Sequence, residues 1–206
     1  MTSQYETVLK DLLTSWGVTI AMNNRSILSG GYEIDVYAPN EKIGIEFNGS
    51  YWHSEPVLKT GRGEGPLYHQ KKSLDAESKG IQLFHIFEYQ WNDPRQKPII
   101  ISRLKNLFHK DDRVIYGRET EIRDVPDDER KAFLNANHMQ GSDHATRAYG
   151  LYCNGELVSI MTFCKPRFNK NYRWELSRFC SKCGCSVVGG ASKLFRHFLE
   201  NNEGGV

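Results

Sequence analysis

Apolar positions recur at helical spacing over residues 3–16, where Tyr5, Val8, Leu9, Leu12, Leu13 and Trp16 share one face. Ser3 and Glu6 fit a capping box there, and Gly17 suits the C-terminal stop. The period then shortens. Residues 32–37 and 43–48 read as two short strands, with Pro39-Asn40-Glu41-Lys42 as turn chemistry, so a β-hairpin is expected. Residues 67–79 return to a helical pattern that ends at Gly80, and residues 81–87 form a buried-looking strand. Asp93-Pro94 opens a further helix that carries Ile99, Ile100, Leu104, Leu107 and Phe108 to about residue 109. A strand, a helix and a returning strand predict a βαβ crossover and a mixed sheet.

Asp111-Asp112 marks a boundary, after which the pattern starts afresh, giving domains at 1–110 and 113–206. A strand is expected over 121–125 and a helix over 127–137. Asn154-Gly155 separates two alternating runs, 148–153 and 156–164, and is a hairpin turn. Another strand is expected over 172–179. Val187-Val188-Gly189-Gly190 then leads into a helix with Leu194, Phe195, Phe198 and Leu199 on its apolar face.

Composition narrows the class. With 39% hydrophobic and 12% aromatic residues, the 206-residue chain can build a core. Lys and Arg number 27 against 25 Asp and Glu, a net charge of +2. That excludes a histone-like polycation but not a local basic patch. No apolar run approaches the ~20 residues of a membrane span, and the first residues lack a signal-peptide core, so a soluble, cytoplasmic protein with no membrane partner is expected. Five cysteines, all in the second half, do not form a disulfide framework.

The chemistry concentrates on Asp35 and Glu46. If Asn40-Glu41 is the centre of the hairpin turn, paired residues sum to 81, which sets the two carboxylates opposite each other. Opposed like charges are destabilising, and a divalent cation such as Mg²⁺, held by one or two carboxylates, removes the repulsion. Alternation puts Glu33, Asp35 and Tyr37 on one face, Glu46 and Asn48 on one face of the partner strand, and Ile34, Val36, Ile45 and Phe47 toward the core. The alternative is a pair of acids on the solvated face of a half-exposed sheet. His53, after Tyr51-Trp52, could relay a proton or orient the attacking water, or could be a packed or surface histidine. His69, Lys71 and Lys72 cluster on the following helix, with Lys59 and Arg62 before it. They could meet phosphates or form a solvated basic face.

In order and content, Tyr32-Glu33-Ile34-Asp35-Val36-Tyr37, Ile43-Gly44-Ile45-Glu46-Phe47-Asn48-Gly49-Ser50-Tyr51-Trp52-His53, Tyr68-His69-Gln70-Lys71-Lys72, Lys79-Gly80-Ile81 and His85-Ile86-Phe87-Glu88 before Trp91 form one series. Through them residues 3–91 resemble the very-short-patch mismatch-repair branch of the PD-(D/E)XK nuclease superfamily, with similar segments in free-standing homing-type nucleases of phages. The resemblance implies an α/β (α+β), restriction-endonuclease-like fold: a four-stranded mixed sheet flanked by helices. It implies DNA as partner and Mg²⁺-dependent hydrolysis of its phosphodiesters, with Mn²⁺ as a substitute metal, in a bacterial or phage-infected cell. Asp35 and Glu46 match the metal-binding acids, the carbonyl of Phe47 would be a further ligand, and Glu6 sits where a family acid does. Asn48 stands where the superfamily has Lys and the repair branch has His. His53 matches a catalytic His, with His69 and Lys72 as auxiliary groups. No small-molecule cofactor is expected, and cutting both strands would call for a homodimer.

Residues about 121–201 resemble the first part of a GNAT-type acyltransferase fold by element order and by Val187-Val188-Gly189-Gly190-Ala191-Ser192-Lys193-Leu194. This implies an accessory, DNA-contacting and incomplete module. Residues 165–182 hold Lys165, Arg167, Lys170, Arg173, Arg178 and Lys182 against Glu175, with Phe168, Tyr172 and Trp174 interleaved. That pattern suits backbone contact and base stacking, or equally one charged face and one buried aromatic face. Cys180, Cys183 and Cys185 could bind Zn²⁺ together with Cys153 or Cys164, or be plain thiols. The leading reading is a DNA endonuclease. Its rivals are a non-catalytic DNA-binding protein on a nuclease scaffold and an acyltransferase-like modifier of DNA bases.

Overall fold

The structure, a computed structural model, describes residues 3–49 and 67–203. The chain divides into two compact units, Met1–Pro94 and Arg95–Val206. The helix expected to close the first domain therefore belongs to the second unit. Both units are mixed α+β, with sheets flanked by helices.

In the first unit, α1 (Gln4–Ser15) precedes β1 (Ala21–Asn24), β2 (Ile34–Ala38) and β3 (Ile43–Asn48), followed by α2 (Tyr68–Ser78), β4 (Gln82–Phe87) and the short α3 (Glu88–Asn92). The strands form one sheet in the order β1-β2-β3-β4. β3 and β4 are parallel and the other pairs antiparallel. This is the mixed four-stranded sheet that the strand–helix–strand pattern predicts. β1 was not expected: Ala21-Met22-Asn23-Asn24 has no apolar alternation, and only pairing with β2 makes it a strand.

α1 starts at Ser3, whose Oγ accepts from the Glu6 N–H at 3.2 Å. It buries Leu9 and Leu13, and Tyr5 stacks on Phe47 with ring centroids 4.5 Å apart. From α2, Lys72 reaches Glu46. Adjacent strand residues point to opposite faces, so α1 and α2 cover opposite sides of β3. All six residues of β3 are consequently buried. The half-exposed sheet is ruled out at this strand.

The second unit contains α4 (Gln96–Leu107), β5 (Arg113–Tyr116), β6 (Glu121–Asp124), α5 (Asp127–Asn137), β7 (Arg147–Cys153), β8 (Glu156–Cys164), β9 (Glu175–Ser181), β10 (Cys185–Val188) and α6 (Gly190–Asn201). β6-β7-β8-β9 form an antiparallel sheet, and β5 and β10 a separate parallel pair. Its core packs Leu151, Phe163, Leu194 and Phe198, with Phe163 stacked on Phe198. A second cluster joins Leu134 of α5 to Tyr152, Leu157 and Ile160. β9 starts three residues later than expected because 165–174 is a loop. Among the described residues no helix is long and apolar enough to cross a membrane.

Candidate active site

The hairpin register is the expected one. Val36 pairs with Ile45, Tyr37 with Gly44 and Ala38 with Ile43, each pair summing to 81. The turn spans residues 39–42, with Lys42 in the left-handed region at φ 56°. The ladder stops one pair short of Asp35 and Glu46. There the Phe47 N–H donates to Asp35 Oδ2 at 2.8 Å, so a side-chain carboxylate takes a hydrogen bond that a strand carbonyl would otherwise accept.

Asp35 sits at an irregularity in β2. On its other side the β1 pairing passes from Met22–Val36 to Asn24–Ile34, with Asn23 left-handed at φ 50°. Ile34 also departs from the expected face. A Cβ on Gly44, the partner of Tyr37, would stand 3.1 Å from Ile34 Cγ2, so Ile34 and Tyr37 lie on one side, together with Leu28, Ala76 and Ile81. Strict alternation fails next to Asp35, which has no Cα partner in either ladder.

Glu46 is 4% exposed and Lys72 3% exposed, and Lys72 Nζ is paired with Glu46 Oε2. Glu46 Oε1 and Asn48 Oδ1 are buried with no hydrogen-bond partner, and so is Glu6 Oε2. Glu6 therefore does not act as a closed capping box. Ser3 caps its N–H, while Glu6 raises the proton affinity of Asp35. Burial raises Asp35 to about 6, against the Phe47 N–H and Lys72, which lower it. Burial likewise raises Glu46 to about 7, reinforced by the Asp35 charge and opposed by Lys72. The two acids feel each other's charge, and the Lys72 ammonium is their shared counter-charge.

Around them lies a polar layer. Asn48 Nδ2 donates to His85 Nδ1 at 3.3 Å. With Nδ1 accepting, the ring proton is on Nε2, which faces Ser73 Oγ at 3.2 Å. His69 meets His85 edge to face, and burial and Lys72 together lower its pKa. The sequence reading gives His85 no role beyond its place in the resembling series and does not name Ser73. Their signal was a histidine at the site-facing position of an apolar strand, in register with Glu46.

The donor set was tested against the implied Mg²⁺. The orphaned buried atoms Glu46 Oε1 and Asn48 Oδ1 are both oxygens that can only accept, which suits a hard cation. Among the described residues no group of three or more His, Cys, Asp or Glu is placed to hold a metal ion, and Glu6, Asp35 and Glu46 do not form one. The fit is thus of the kind in which two carboxylates hold the ion with neutral protein oxygens, water and phosphate completing it. His53, Lys59 and Arg62 lie outside the described residues.

In the second unit, Lys193 Nζ turns inward to Gly117 O at 2.8 Å and to Thr120 O, so it ties the turn before β6 to α6. The thiols at Cys180, Cys183 and Cys185 are free. Burial pushes Cys180 up to about 12, and Cys183 Sγ faces the Ala136 carbonyl at 3.8 Å. Among the described residues neither they nor Cys153 and Cys164 belong to a metal-holding group.

No protein-family profile matches the chain, and no curated protein matches it. Among solved structures it is similar to the homing endonuclease I-Bth0305I catalytic domain, at 18% sequence identity and a TM-score of 0.39, over 52% of this chain and 95% of that one.

Proposed function

We propose that the first unit is a Mg²⁺-dependent DNA endonuclease, with the accessory second unit contacting DNA. The carrying observation is the buried Glu46–Lys72 pair beside the half-buried Asp35, with Glu46 Oε1 and Asn48 Oδ1 left without a hydrogen-bond partner in the described chain. Asp35, Glu46, Asn48 Oδ1 and the Phe47 carbonyl would hold the metal. When bound, Mg²⁺ supplies charge neutralisation at the scissile phosphate and a more acidic water.

The chain's own groups do the rest. Lys72 Nζ is fixed by Glu46, where it can stabilise negative charge developing at the phosphate. It provides the cation that Asn48 cannot. Asn48 is oriented through His85 and Ser73. His69, kept neutral at pH 7 by burial and Lys72, can accept a proton at an imidazole nitrogen. His53 is the other proton-transfer group of the reading. Glu6 sets the charge around Asp35. One such site cuts one strand, and cutting both calls for two chains.

The test is incubation of the full chain with supercoiled plasmid and Mg²⁺ or Mn²⁺, beside EDTA and the Asp35→Asn, Glu46→Gln and Lys72→Met variants. Metal-dependent nicking or linearisation that all three variants lose is the expected outcome. DNA binding without cleavage by the wild type would favour the non-catalytic reading.

A further inference from the structure

The loop between β8 and β9, residues 165–174, separates its aromatic residues into two roles. Trp174 packs edge to face on Phe198, and its Nε1 donates to the Glu203 carbonyl at 3.2 Å, which anchors the base of the loop to the core. Phe168 is 88% exposed and Tyr172 49% exposed. The loop also has internal braces. Glu175 accepts from the Arg167 backbone N–H at 2.9 Å and from its guanidinium, Lys170 Nζ donates to the Pro166 carbonyl, and Asn169 Oδ1 accepts from the Asn171 N–H. Phe168 is therefore displayed on a braced tip.

Charge tells what the tip is for. Arg167 neutralises Glu175. Among the described residues Lys165 forms no ion pair, Lys170 feels the Glu175 charge without pairing closely with it, and Arg173 has only the loose, solvated Glu203 at 3.9 Å. Three cations thus surround two exposed rings. Exposed rings among cations, with the Arg167 guanidinium 5.9 Å from the Phe168 ring centroid, are unsuited to an apolar protein interface, whose centre is depleted of charge. It matches a nucleic-acid strand, which offers phosphates to the cations and a base face to each ring.

We propose that this loop is a second DNA-contacting surface, with Lys165, Lys170 and Arg173 on phosphates and Phe168 and Tyr172 stacking on unpaired bases. The inference rests on the nuclease reading only for the identity of DNA as the polymer.

The experiment measures anisotropy of fluorescein-labelled single-stranded and duplex 20-mers with the full chain in EDTA, where no cleavage occurs. Phe168→Ala is expected to weaken single-strand binding about ten-fold and duplex binding less, with Phe168→Trp restoring it. The Lys165→Ala/Lys170→Ala/Arg173→Ala variant is expected to flatten the salt slope by roughly 0.7 per lost phosphate contact. All these side chains are exposed, and unchanged melting curves confirm intact folding. Wild-type affinity and slope in both variants overturn the proposal, as does a wild type that binds neither DNA. Plasmid cleavage in Mg²⁺ reads the active site separately, so a cleaving enzyme with an indifferent loop is distinguishable from a chain that does not cleave.

Discussion

Asp35 accepts the backbone N–H of Phe47 through its carboxylate at 2.8 Å, which makes one acid both the end of the β2–β3 ladder and a site residue. The two roles separate on substitution. Asparagine keeps an acceptor for that N–H and loses the charge, whereas alanine leaves the buried N–H without a partner. Asp35→Asn is therefore expected to abolish metal-dependent cleavage with stability kept, and Asp35→Ala to lose about 1–3 kcal/mol as well. Urea unfolding of the two variants beside plasmid cleavage checks this.

The stability of the metal-free chain is expected to fall as pH rises. Asp35 and Glu46 are raised from 3.8 to about 6 and from 4.5 to about 7 by burial. Between these unfolded and folded values the folded chain holds protons that the unfolded chain has released, so the slope of unfolding free energy with pH is negative. The contribution of these groups is complete below about pH 4 and gone above about pH 7. Urea midpoints from pH 4 to 8 should decline for the wild type and less for Asp35→Asn/Glu46→Gln. Millimolar Mg²⁺ should restore the midpoint at pH 8.

Lys72 is the counter-charge of a buried carboxylate, and removing one partner of such a pair leaves the other uncompensated. Lys72→Met is expected to cost about 3–5 kcal/mol at pH 8. The loss should shrink at pH 5, where Glu46 can take up a proton. A loss independent of pH would mean that packing of the lysine stem, not its charge, is what holds α2 on β3.

In the second unit, Arg130 is 2% exposed and paired with Asp143, which also accepts from Thr162 Oγ1 at 2.6 Å. Burial raises the Asp143 carboxyl, but hydrogen bonds from Thr162, Ser177 and Arg130 outweigh it, and the net position is below the ordinary value. Its contribution is thus present above about pH 4 and lost as pH falls through the lowered value. Asp143→Asn is expected to destabilise the chain by about 3–5 kcal/mol at pH 7. Circular dichroism melts in a series from pH 7 downward should show the difference from wild type shrinking as the pH falls below the ordinary carboxylate value.

Gly150 has no room for a side chain: a Cβ there would stand 2.5 Å from Leu157 Cδ1 and 2.7 Å from Val125 Cγ2. Gly150→Ala is expected to cost about 1–3 kcal/mol by overpacking, with DNA cleavage unaffected at temperatures where the chain stays folded. Thermal melting with a parallel plasmid assay measures both.

The sequence by itself determined much of this protein. Periodicity located α1, α2 and α5, Asn154-Gly155 placed the β7–β8 turn, and the symmetric turn chemistry around Asn40-Glu41 set the register that brings Asp35 beside Glu46. These are local matters: side-chain period and turn preference act over a few residues, so a linear chain displays them. What only the tertiary structure decided involves partners far apart. β1, β5 and β10 have weak patterns and exist as strands because a distant strand pairs with them. The break in alternation beside Asp35 cannot be read from an alternating run. Lys72 is one of several basic residues on its helix, and nothing nearby distinguishes it from Lys71. The packing of α2 on the sheet buries Lys72 against Glu46, 26 residues away, and leaves Lys71 in water. Burial of charge is a property of the assembled layers, and it is burial that turns a pair of ordinary carboxylates into an acidic site.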